Sequence, residues 1–387
     1  MPGREVVIAG VGLHPFGRFP EETIHDLART AIFEAFDDAG VTYKDIQAAF
    51  FGHVYFEGMS VAAFALHELG LTGIPIINVE NACASGTMGM WLGYWGVASG
   101  MYDIVLAFGA EKVPRGPVSI TSQDSLERLV GADFMMAGVY ATRMRRYMEE
   151  FGAPAEAFAK VSVREHNNAV HNPYAQYKKV FTLEEVMNSR MIADPLTLYQ
   201  CCPTSEGGSA AVICAKEVAD KYVKDTSRLV NIAGMGFRTL LHGVEAGGER
   251  SLSMGGEEES EEIYPAAKDA YEMAGLEPED VNVAQAHDAA TPGAFSQLEG
   301  LGLANRGEAW KMEMDGRLEI DGDLPLNTDG GLQAMGHPFG ATGIRMVHEL
   351  VTQLRGEAGT RQIKKHKIGI AGNGGAGGIS TVTILKK

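Results

Sequence analysis

The sequence repeats one pattern of secondary structure in its two halves. Four pairs of segments match in the same order along the chain: 6–13 with 230–237, 34–46 with 269–281, 83–89 with 337–343, and 104–109 with 368–373. The third pair reads CASGTMG and HPFGATG, with glycines at the third and sixth places after the Cys or the His. Four matches in one order predict a duplicated β/α unit.

A duplicated β/α unit limits the architecture. Alternating strand-like and helical runs indicate the α/β class, and 387 residues leave room for two or three domains. Two such units would pack as two related sheets, with helices between and outside them. Equivalent loops then meet near the shared axis. We therefore expect Cys83 and His337, which occupy equivalent places, to face one cleft.

The local patterns predict individual elements of this fold. Val6–Val11 reads as a buried strand, and Ile24–Ala39 as an amphipathic helix that stops at Gly40. Ile76–Val79 reads as the end of a buried strand, a helix follows from Ala84, and Ile104–Phe108 is a further strand.

The division of the chain follows from the repeat. We predict an N-terminal half at 1–225 and a C-terminal half at 226–387. Residues from about 114 to 205 have no counterpart in the second half and read as an inserted loop domain, with helical stretches at 141–150 and 155–171. Residues 247–262, rich in Gly, Glu and Ser, read as a mobile surface loop.

Composition excludes several classes of function. The formal net charge of −17 argues against nucleic acid as a partner, because phosphate binding needs a cationic face. A basic cluster at 143–146 reads either as an anion site or as a solvated helix face. Apolar runs are too short to span a membrane, and the N-terminus shows no signal peptide. We expect a cytoplasmic protein.

The four cysteines suggest neither disulfides nor a metal site. Cys83, Cys201, Cys202 and Cys214 have no zinc-like spacing with one another or with histidine, so no metal is predicted. The adjacent Cys201 and Cys202 read as reduced loop residues. Cys83 stands at a strand-to-helix turn, where backbone N–H groups and the helix dipole favour a thiolate. Its alternative interpretation is a buried structural cysteine.

Three further stretches carry side chains or backbone groups suited to catalysis. A thiolate nucleophile needs a neighbouring imidazole, and His337 lies in a rigid, glycine-flanked loop that leads into a helix. His287 and Asp288 follow a buried strand, where α/β folds place ligands; Asp288 is either a helix cap or an orienting group. The glycine-rich segment 371–378 reads as an oxyanion or phosphate nest, or as a tight β-hairpin.

Taken together, these motifs resemble the thiolase superfamily over essentially the whole chain. The motifs are NACASG at 81–86, GHPFGATG at 336–343 and the glycine-rich last hairpin. The His287–Asp288 pair, HNPYA at 171–175 and PTSEGGSA at 203–210 are similar to the sterol-carrier-protein-2-type branch. The resemblance implies the thiolase fold, a five-layer α/β/α/β/α sandwich, and a homodimer.

The resemblance also implies roles for named residues. Cys83 would be the acyl-accepting nucleophile and His337 its base, while His287 would hold the thioester oxygen or a water in one oxyanion site. The N–H groups of Cys83 and Gly375 would form a second oxyanion hole. Cys83 would attack the 3-oxo carbon of an acyl-CoA, and coenzyme A, as a substrate, would then take the acyl group.

Three positions depart from the pattern of the family. Thiolases carry a second cysteine where this chain has Asn373, and the sterol-carrier type often has one where Ala289 stands; Glu206 replaces an Asp. An asparagine neither protonates an enolate nor removes an α-proton. Three explanations stay open: a water held by Asn373 and His287, an enolate that needs little help, or a different reaction.

The same resemblance leaves other functions open. Relatives that lack active-site cysteines are retro-aldolases acting on CoA-bound β-hydroxy side chains, but the retained Cys83 and His337 favour acyl transfer. The sterol-carrier-protein-2-type branch also includes benzoylsuccinyl-CoA thiolase, which suggests a bulky or aromatic substrate. Several relatives work with a small subunit bearing a zinc ribbon and an OB fold, the DUF35 type. A non-catalytic scaffold that binds acyl-CoA is a further alternative.

Overall fold

The computed structural model describes residues 3–55, 58–116, 119–120, 134–239 and 264–387. The strands in these residues are β1 (Val6–Leu13), β2 (Ala49–Gly52), β3 (Ile76–Val79), β4 (Ile104–Lys112), β5 (Ser119–Ile120), β6 (Phe134–Met135), β7 (Met191–Ala193), β8 (Leu196–Thr197), β9 (Glu206–Ala215), β10 (Val230–Arg238), β11 (Val283–Ala286), β12 (Ile368–Gly375) and β13 (Ile379–Lys386). The α-helices are α1 (Ile24–Ala39), α2 (Val61–His67), α3 (Ser85–Ala98), α4 (Met136–Phe151), α5 (Ala155–Ala169), α6 (Leu183–Met187), α7 (Pro265–Ala274), α8 (Pro292–Gly300), α9 (Ala309–Met314) and α10 (Phe339–Arg355). A π-helical turn spans Gly331–Met335.

The sheet has the predicted internal repeat. Within the described ranges, nine strands are hydrogen-bonded in the order β11-β12-β13-β10-β1-β9-β4-β2-β3. The runs β2-β4-β9-β1 and β11-β12-β13-β10 share one pattern, a parallel pair followed by two antiparallel pairs. The two runs meet where β1 pairs with β10, at Val7 with Asn231 and Ile8 with Val230. The duplication is confirmed, although these two pairs join the two expected sheets into one.

Three apolar clusters show how the layers stack. One lies between α1 and the first run of strands and contains Leu27 and Phe108. A central cluster combines residues of both runs with residues of α3 and α10, such as Met90 and Ile344. The third packs α7 and α8 on the second run, as at Phe295. The layers therefore follow one another as helix α1, the first run of strands, helices α3 and α10, the second run of strands, and helices α7 and α8. This is the predicted five-layer sandwich.

All predicted elements of the first half are present, two of them with the predicted bounds, and one prediction of burial is wrong. Helix α1 begins at Ile24 and ends at Ala39, and Gly40 caps it in the left-handed conformation at φ 71°. Strand β3 also has its predicted bounds, but Ile77 in its middle is 43% exposed. The reason is that β3 lies at one edge of the sheet, which local periodicity does not reveal.

The predicted insertion contains the helices expected of it. Helix α4 extends over the first predicted stretch, and α5 covers the second as far as Ala169. Helix α5 packs its buried face against the π-helical turn and α9. The basic cluster at 143–146 has local partners, since Arg145 pairs with Asp194 and Arg146 with Glu150. It therefore matches the solvated-face interpretation. The predicted mobile loop at 247–262 lies outside the described residues, and the boundary at 225/226 stays a prediction.

Glycines bring the two central helices together beside the predicted site residues. A methyl group added to Gly86, in α3, would overlap the carbonyl oxygen of Gly340, in α10. One added to Gly340 would lie 2.8 Å from the Cα of His53 and 2.9 Å from the carbonyl oxygen of Ala110. The N-terminal ends of α3 and α10 therefore meet only because these positions lack a Cβ. In the described part of the chain, each helix is too short or too polar to cross a membrane.

Candidate active site

Cys83 lies in the tight turn between β3 and α3. Ala82, the residue before it, has φ 49°, in the left-handed region that residues with a Cβ rarely adopt. Ser85 holds the turn, because its hydroxyl donates to the carbonyl oxygen of Ala82 at 2.6 Å and accepts from the N–H of Asn81 at 2.9 Å. The thiol is thereby presented at the N-terminal end of α3, where the helix dipole favours negative charge.

The environment of the Cys83 sulfur favours the thiol over the thiolate. The side chain is partly accessible, yet burial, with a smaller contribution from the carboxylate of Glu111, raises the pKa of Cys83 to about 12. The backbone N–H groups of Cys83 and Ala376 bond to the sulfur and act in the opposite direction. A thiolate therefore requires a base that takes the proton as the reaction proceeds.

His337 is held so that one ring nitrogen is free. Its backbone N–H donates to the hydroxyl of Ser205 at 2.9 Å, and its Nδ1 lies 2.7 Å from the hydroxyl of Thr342. That hydroxyl donates to the carbonyl oxygen of Pro338, so it accepts from Nδ1–H of His337. The Nε2 atom keeps its lone pair, is buried, and has no hydrogen-bond partner among the described residues. The ring has the tautomer that a general base needs.

His287 and Asn373 form a second hydrogen-bonded chain at the site. Nδ1 of His287 lies 2.6 Å from Oδ1 of Asn373, and the amide Nδ2 of Asn373 donates to the carbonyl oxygen of Cys83 at 3.1 Å and to the hydroxyl of Thr87 at 3.0 Å. These partners orient the amide, so Nδ1 of His287 carries the proton and Nε2 is the acceptor. Asn373 thus connects the last hairpin, the nucleophile loop and the second histidine.

The fold brings Cys83, His287 and His337 together from three distant segments. Each offers one sulfur or ring nitrogen atom, and these three atoms lie within 4.8 Å of one another. The two imidazole centroids are 5.0 Å apart, with the rings perpendicular. Burial first, and then the neighbouring histidine and Arg345, lower the pKa of His337 well below 6.5. Burial also lowers the pKa of His287. Both rings are neutral at physiological pH.

This set of atoms has the chemistry of a zinc site as well as that of a catalytic centre. One thiol and two imidazoles are ligands that a soft divalent cation accepts. Cysteine spacing could not indicate such a group, because its members come from positions 83, 287 and 337. The expectation that no metal is bound stays a prediction.

Asp288 does not act as the cap of a helix. Helix α8 begins only at Pro292, after Thr291. The carboxylate of Asp288 accepts instead from the N–H of Leu332, at 3.0 Å, and from the amide of Asn327, at 3.0 Å. Burial and the charge of Asp288 raise the pKa of the adjacent Glu165. Asp288 therefore anchors the π-helical turn that precedes His337, which is the orienting alternative.

The glycine-rich segment is a hairpin whose turn reaches the nucleophile loop. Gly377 and Gly378 have φ of 87° and 78° between β12 and β13. The predicted oxyanion donor Gly375 packs against this loop, since a Cβ there would lie 2.6 Å from the carbonyl oxygen of Asn81. The structure adds the N–H of Ala376 beside the Cys83 sulfur. The hairpin interpretation is confirmed, and the role of this backbone as an oxyanion nest stays a prediction.

Sequence reasoning missed several residues that support the site. Burial raises the pKa of Glu111 to about 7, although its carboxyl accepts the N–H groups of Val54 and Tyr55 at 2.8 and 3.2 Å. A charged residue at the end of the apolar strand β4 was the available signal. For Thr342 and Ser205 the signal was weaker: both are hydroxyl residues inside the family motifs at 336–343 and 203–210.

Comparisons with known families cover almost the whole chain. The family described as "Thiolase, N-terminal domain" matches residues 6–217, and "Thiolase C-terminal domain-like" matches residues 248–387. Among the solved structures, the chain is similar to an "Ltp2-ChsH2(DUF35) aldolase", with a TM-score of 0.84, 27% identity, and coverage of 100% of this chain and 98% of that one. Human mitochondrial 3-ketoacyl-CoA thiolase in complex with CoA shares the fold, with a TM-score of 0.73 at 17% identity, over 99% and 98% of the two chains.

Three curated relatives have sequence identities well above that of the human thiolase structure. An acetyl-CoA acetyltransferase of Methanothermobacter thermautotrophicus is 37% identical over 99% of this chain and 100% of its own. Sterol carrier protein 2 of Bos taurus is 35% identical over 98% of this chain and 72% of its own length. The benzoylsuccinyl-CoA thiolase subunit BbsB of Thauera aromatica is 36% identical over 93% and 92%. The chain belongs to the thiolase family of acyltransferases, with relatives of the sterol-carrier-protein-2 type, as its motifs predict.

Proposed function

We propose that the protein is a thiolase that cleaves a 3-oxoacyl-CoA with coenzyme A through an acyl-enzyme on Cys83. One observation carries this proposal: the partly accessible sulfur of Cys83 lies within 4.8 Å of nitrogen atoms of His287 and His337. A thiol with an adjacent neutral imidazole is the arrangement that nucleophilic acyl transfer requires. A retro-aldol cleavage has no step for a thiol nucleophile.

His337 would act as the base for Cys83. Because Thr342 accepts the proton of Nδ1, only Nε2 can take the proton of the thiol. The sulfur then attacks the 3-oxo carbon, and the carbon–carbon bond to the CoA-bearing fragment breaks. The thiol of a free CoA afterwards takes the acyl group from Cys83.

The remaining predicted residues would stabilise the oxygen atoms that gain charge. His287 would hold the thioester oxygen, or a water, through Nε2, while Asn373 fixes the ring through Nδ1. The N–H groups of Cys83 and Gly375, with Ala376 beside them, would surround the oxygen of the tetrahedral intermediate. One such donor contributes about 3–4 kcal/mol to acyl transfer.

Intact-mass measurement tests the proposal. Incubation with acetyl-CoA should add one acetyl group to the wild-type chain and none to Cys83→Ala, whereas Cys214→Ala, a change of a buried cysteine in β9, should still be acetylated. Turnover that survives Cys83→Ala would favour the aldolase alternative. CoA binding without turnover or adduct would favour the scaffold alternative.

The relatives support a second, finer proposal about partner and substrate. The name of the similar aldolase structure pairs the aldolase with a DUF35 protein, so we infer that a small zinc-ribbon/OB-fold subunit binds this chain. The relationship to BbsB supports a bulky or aromatic 3-oxoacyl-CoA. Co-purification with a co-expressed DUF35 protein, and turnover of benzoylsuccinyl-CoA, test the two inferences separately.

The edge strand supports the inferred homodimer. In the described part of the chain, β3 pairs with β2 alone, and its outer side has no strand beside it. Ile77 on β3 and Phe64 on α2 are 43% and 55% exposed. An open strand with apolar neighbours is suited to pairing with a second copy. Light scattering after size exclusion should give twice the chain mass of 41.5 kDa. The cytoplasmic location stays a prediction.

A further inference from the structure

Cleavage of a 3-oxoacyl-CoA requires a proton donor for carbon. When the bond between C2 and C3 breaks, the electron pair stays on the CoA-bearing fragment as an enolate, whose C2 must then be protonated. Asn373 has no acidic proton, and position 289 is alanine. The structure places a second thiol, that of Cys202, beside the site.

The backbone around Cys202 pairs with the loop that carries His287. The N–H of Cys202 donates to the carbonyl oxygen of Ala289 at 2.9 Å. The N–H of Thr291 donates to the carbonyl oxygen of Gln200 at 3.0 Å, so the two segments run antiparallel. Cys202 is therefore directly opposite Ala289, two residues after His287.

The same segment also pairs with the loop that carries His337. Thr204 forms a bridge with His337, and the hydroxyl of Ser205 accepts the N–H of His337 at 2.9 Å. Residues 201–205 thus connect the two histidine loops, and Cys202 lies between the two points of attachment. Its position is fixed by backbone hydrogen bonds on both sides.

The thiols of Cys201 and Cys202 have different surroundings. The thiol of Cys201 donates to the carbonyl oxygen of Thr197 at 3.6 Å. Because Cys201 is extended, with φ −114° and ψ 141°, the next side chain projects to the opposite side. Cys202 is partly accessible, as Cys83 is. Burial, Cys201, Asp288 and Cys83 together raise its pKa, so its thiol and that of Cys83 are electrostatic neighbours.

We propose that Cys202 is the catalytic acid and base that serves C2 of the CoA-bearing fragment. This inference rests on the proposed thiolase function and adds the residue that the reaction otherwise lacks. Cys202 would transfer the proton at C2 from the segment that lies beside position 289, in place of a cysteine at position 289 or 373.

The proposed step balances in both directions. The sulfur of Cys83 bonds to C3 after passing its proton to His337, and the bond between C3 and C2 breaks. C2 takes the proton of the Cys202 thiol, which leaves a Cys202 thiolate and a neutral acyl-CoA. The thiolate then takes the proton of the incoming CoA thiol, whose sulfur displaces Cys83 from the acyl group. Cys83 regains its proton from His337.

A bifunctional reagent tests whether the two thiols share one space. Dibromobimane fluoresces after it joins two nearby thiols. We expect it to cross-link Cys83 to Cys202 in the wild type and in Cys201→Ala, and to give no such cross-link in Cys202→Ala. Peptide mass mapping identifies the joined residues. Absence of the Cys83–Cys202 cross-link in the wild type would overturn the proposal.

Isotope exchange tests the chemistry separately from the acyl transfer. In D₂O with acetyl-CoA, Cys202→Ala and Cys202→Ser should lose about 100-fold or more of the rate of deuterium entry at C2, as expected for a lost acid/base group. Acetylation of Cys83 by p-nitrophenyl acetate, whose leaving group departs as an anion and needs no proton from Cys202, should stay within about threefold of wild type. Cys201→Ala, the matched control, should keep both rates, and thermal melting should show that all variants are folded.

The outcomes separate this inference from the function beneath it. Exchange that survives in Cys202→Ala, or a wild type that acetylates Cys83 without moving a proton at C2, would overturn the role of Cys202 and leave the acyl-enzyme intact. A wild type that never acetylates Cys83 would instead remove the proposed function, and this inference with it.

Discussion

The loops of Cys83 and His337 are equivalent in the duplicated fold, yet they are stabilised differently. The Cys83 turn is short, contains Ala82 at φ 49°, and is held by the local side chain of Ser85. The His337 loop follows a π-helical turn, contains Gly336 at φ 112°, and is held by Ser205 from another segment. The backbone turn at Cys83 is thus held by a side chain of its own loop, whereas the backbone at His337 is held by a side chain from another segment.

This difference shows how a repeated backbone acquires two chemical roles. Both loops enter a central helix beside Gly86 or Gly340, so the close approach of the helices brings both side chains to one place. Partial access suits Cys83, which must meet a substrate. Full burial suits His337, since it keeps the imidazole neutral, with the lone pair of Nε2 available to accept a proton. The following predictions test this division, from the largest expected effect to the smallest.

Removing either partner should abolish most of the activity. Cys83→Ala and His337→Ala should each lower kcat/KM for thiolysis of acetoacetyl-CoA about 10⁴-fold, because nucleophile and base act as one unit. The double variant should be no worse than the single ones. Losses that multiply in the double variant would show that the two loops act independently.

Hydroxyl partners at similar places in the two loops should matter unequally. Thr342→Val removes the acceptor that sets the tautomer of His337 and should lower kcat about 100-fold with little change in KM. Thr87→Val removes one of two acceptors of the Asn373 amide and should cost about fivefold, the value of one net hydrogen bond. Steady-state kinetics decide this, and equal losses would contradict the asymmetry.

The pH profile should report the burial of the two loops. The lowered pKa of His337 means that less of the ring is protonated at pH 6 than in a free histidine, so the acid limb of kcat/KM should lie below pH 6.5. The raised pKa of Cys83, about 12, means that no basic limb should appear below pH 9. An acid limb at or above pH 6.5 would show that His337 is not buried in the working enzyme.

Opposite glycine exchanges should give the smallest effects. Gly336→Ala should lower the free energy of unfolding by about 1–3 kcal/mol, because φ is positive and the new methyl would lie 2.7 Å from the Ser205 hydroxyl. Ala82→Gly should change it by less than about 1 kcal/mol, since relief of strain and added chain entropy offset each other. Urea unfolding midpoints measure both. A neutral Gly336→Ala would mean that the His337 loop tolerates a second conformation.

Local pattern was sufficient for much of the fold. The helix from Ile24 to Ala39 and the strand from Ile76 to Val79 were predicted with their observed bounds, because caps and periodicity are read over a few residues. Burial of β3 was predicted wrongly, since neighbouring strands decide it. The role of Asp288 needed the π-helical turn, which lies more than forty residues away along the chain.

The amino-acid sequence alone determined the duplication, the class of fold and the residues with reactive groups, because each is written in local order and in repeats. The tertiary structure decided the tautomer of His337, the partners of Asn373 and the place of Cys202 opposite Ala289. The physical reason is distance along the chain. Except for the hydrogen bond between His337 and Thr342, these contacts join segments more than eighty residues apart. That local bond also depends on the tertiary structure, because packing of the central helices buries the ring of His337.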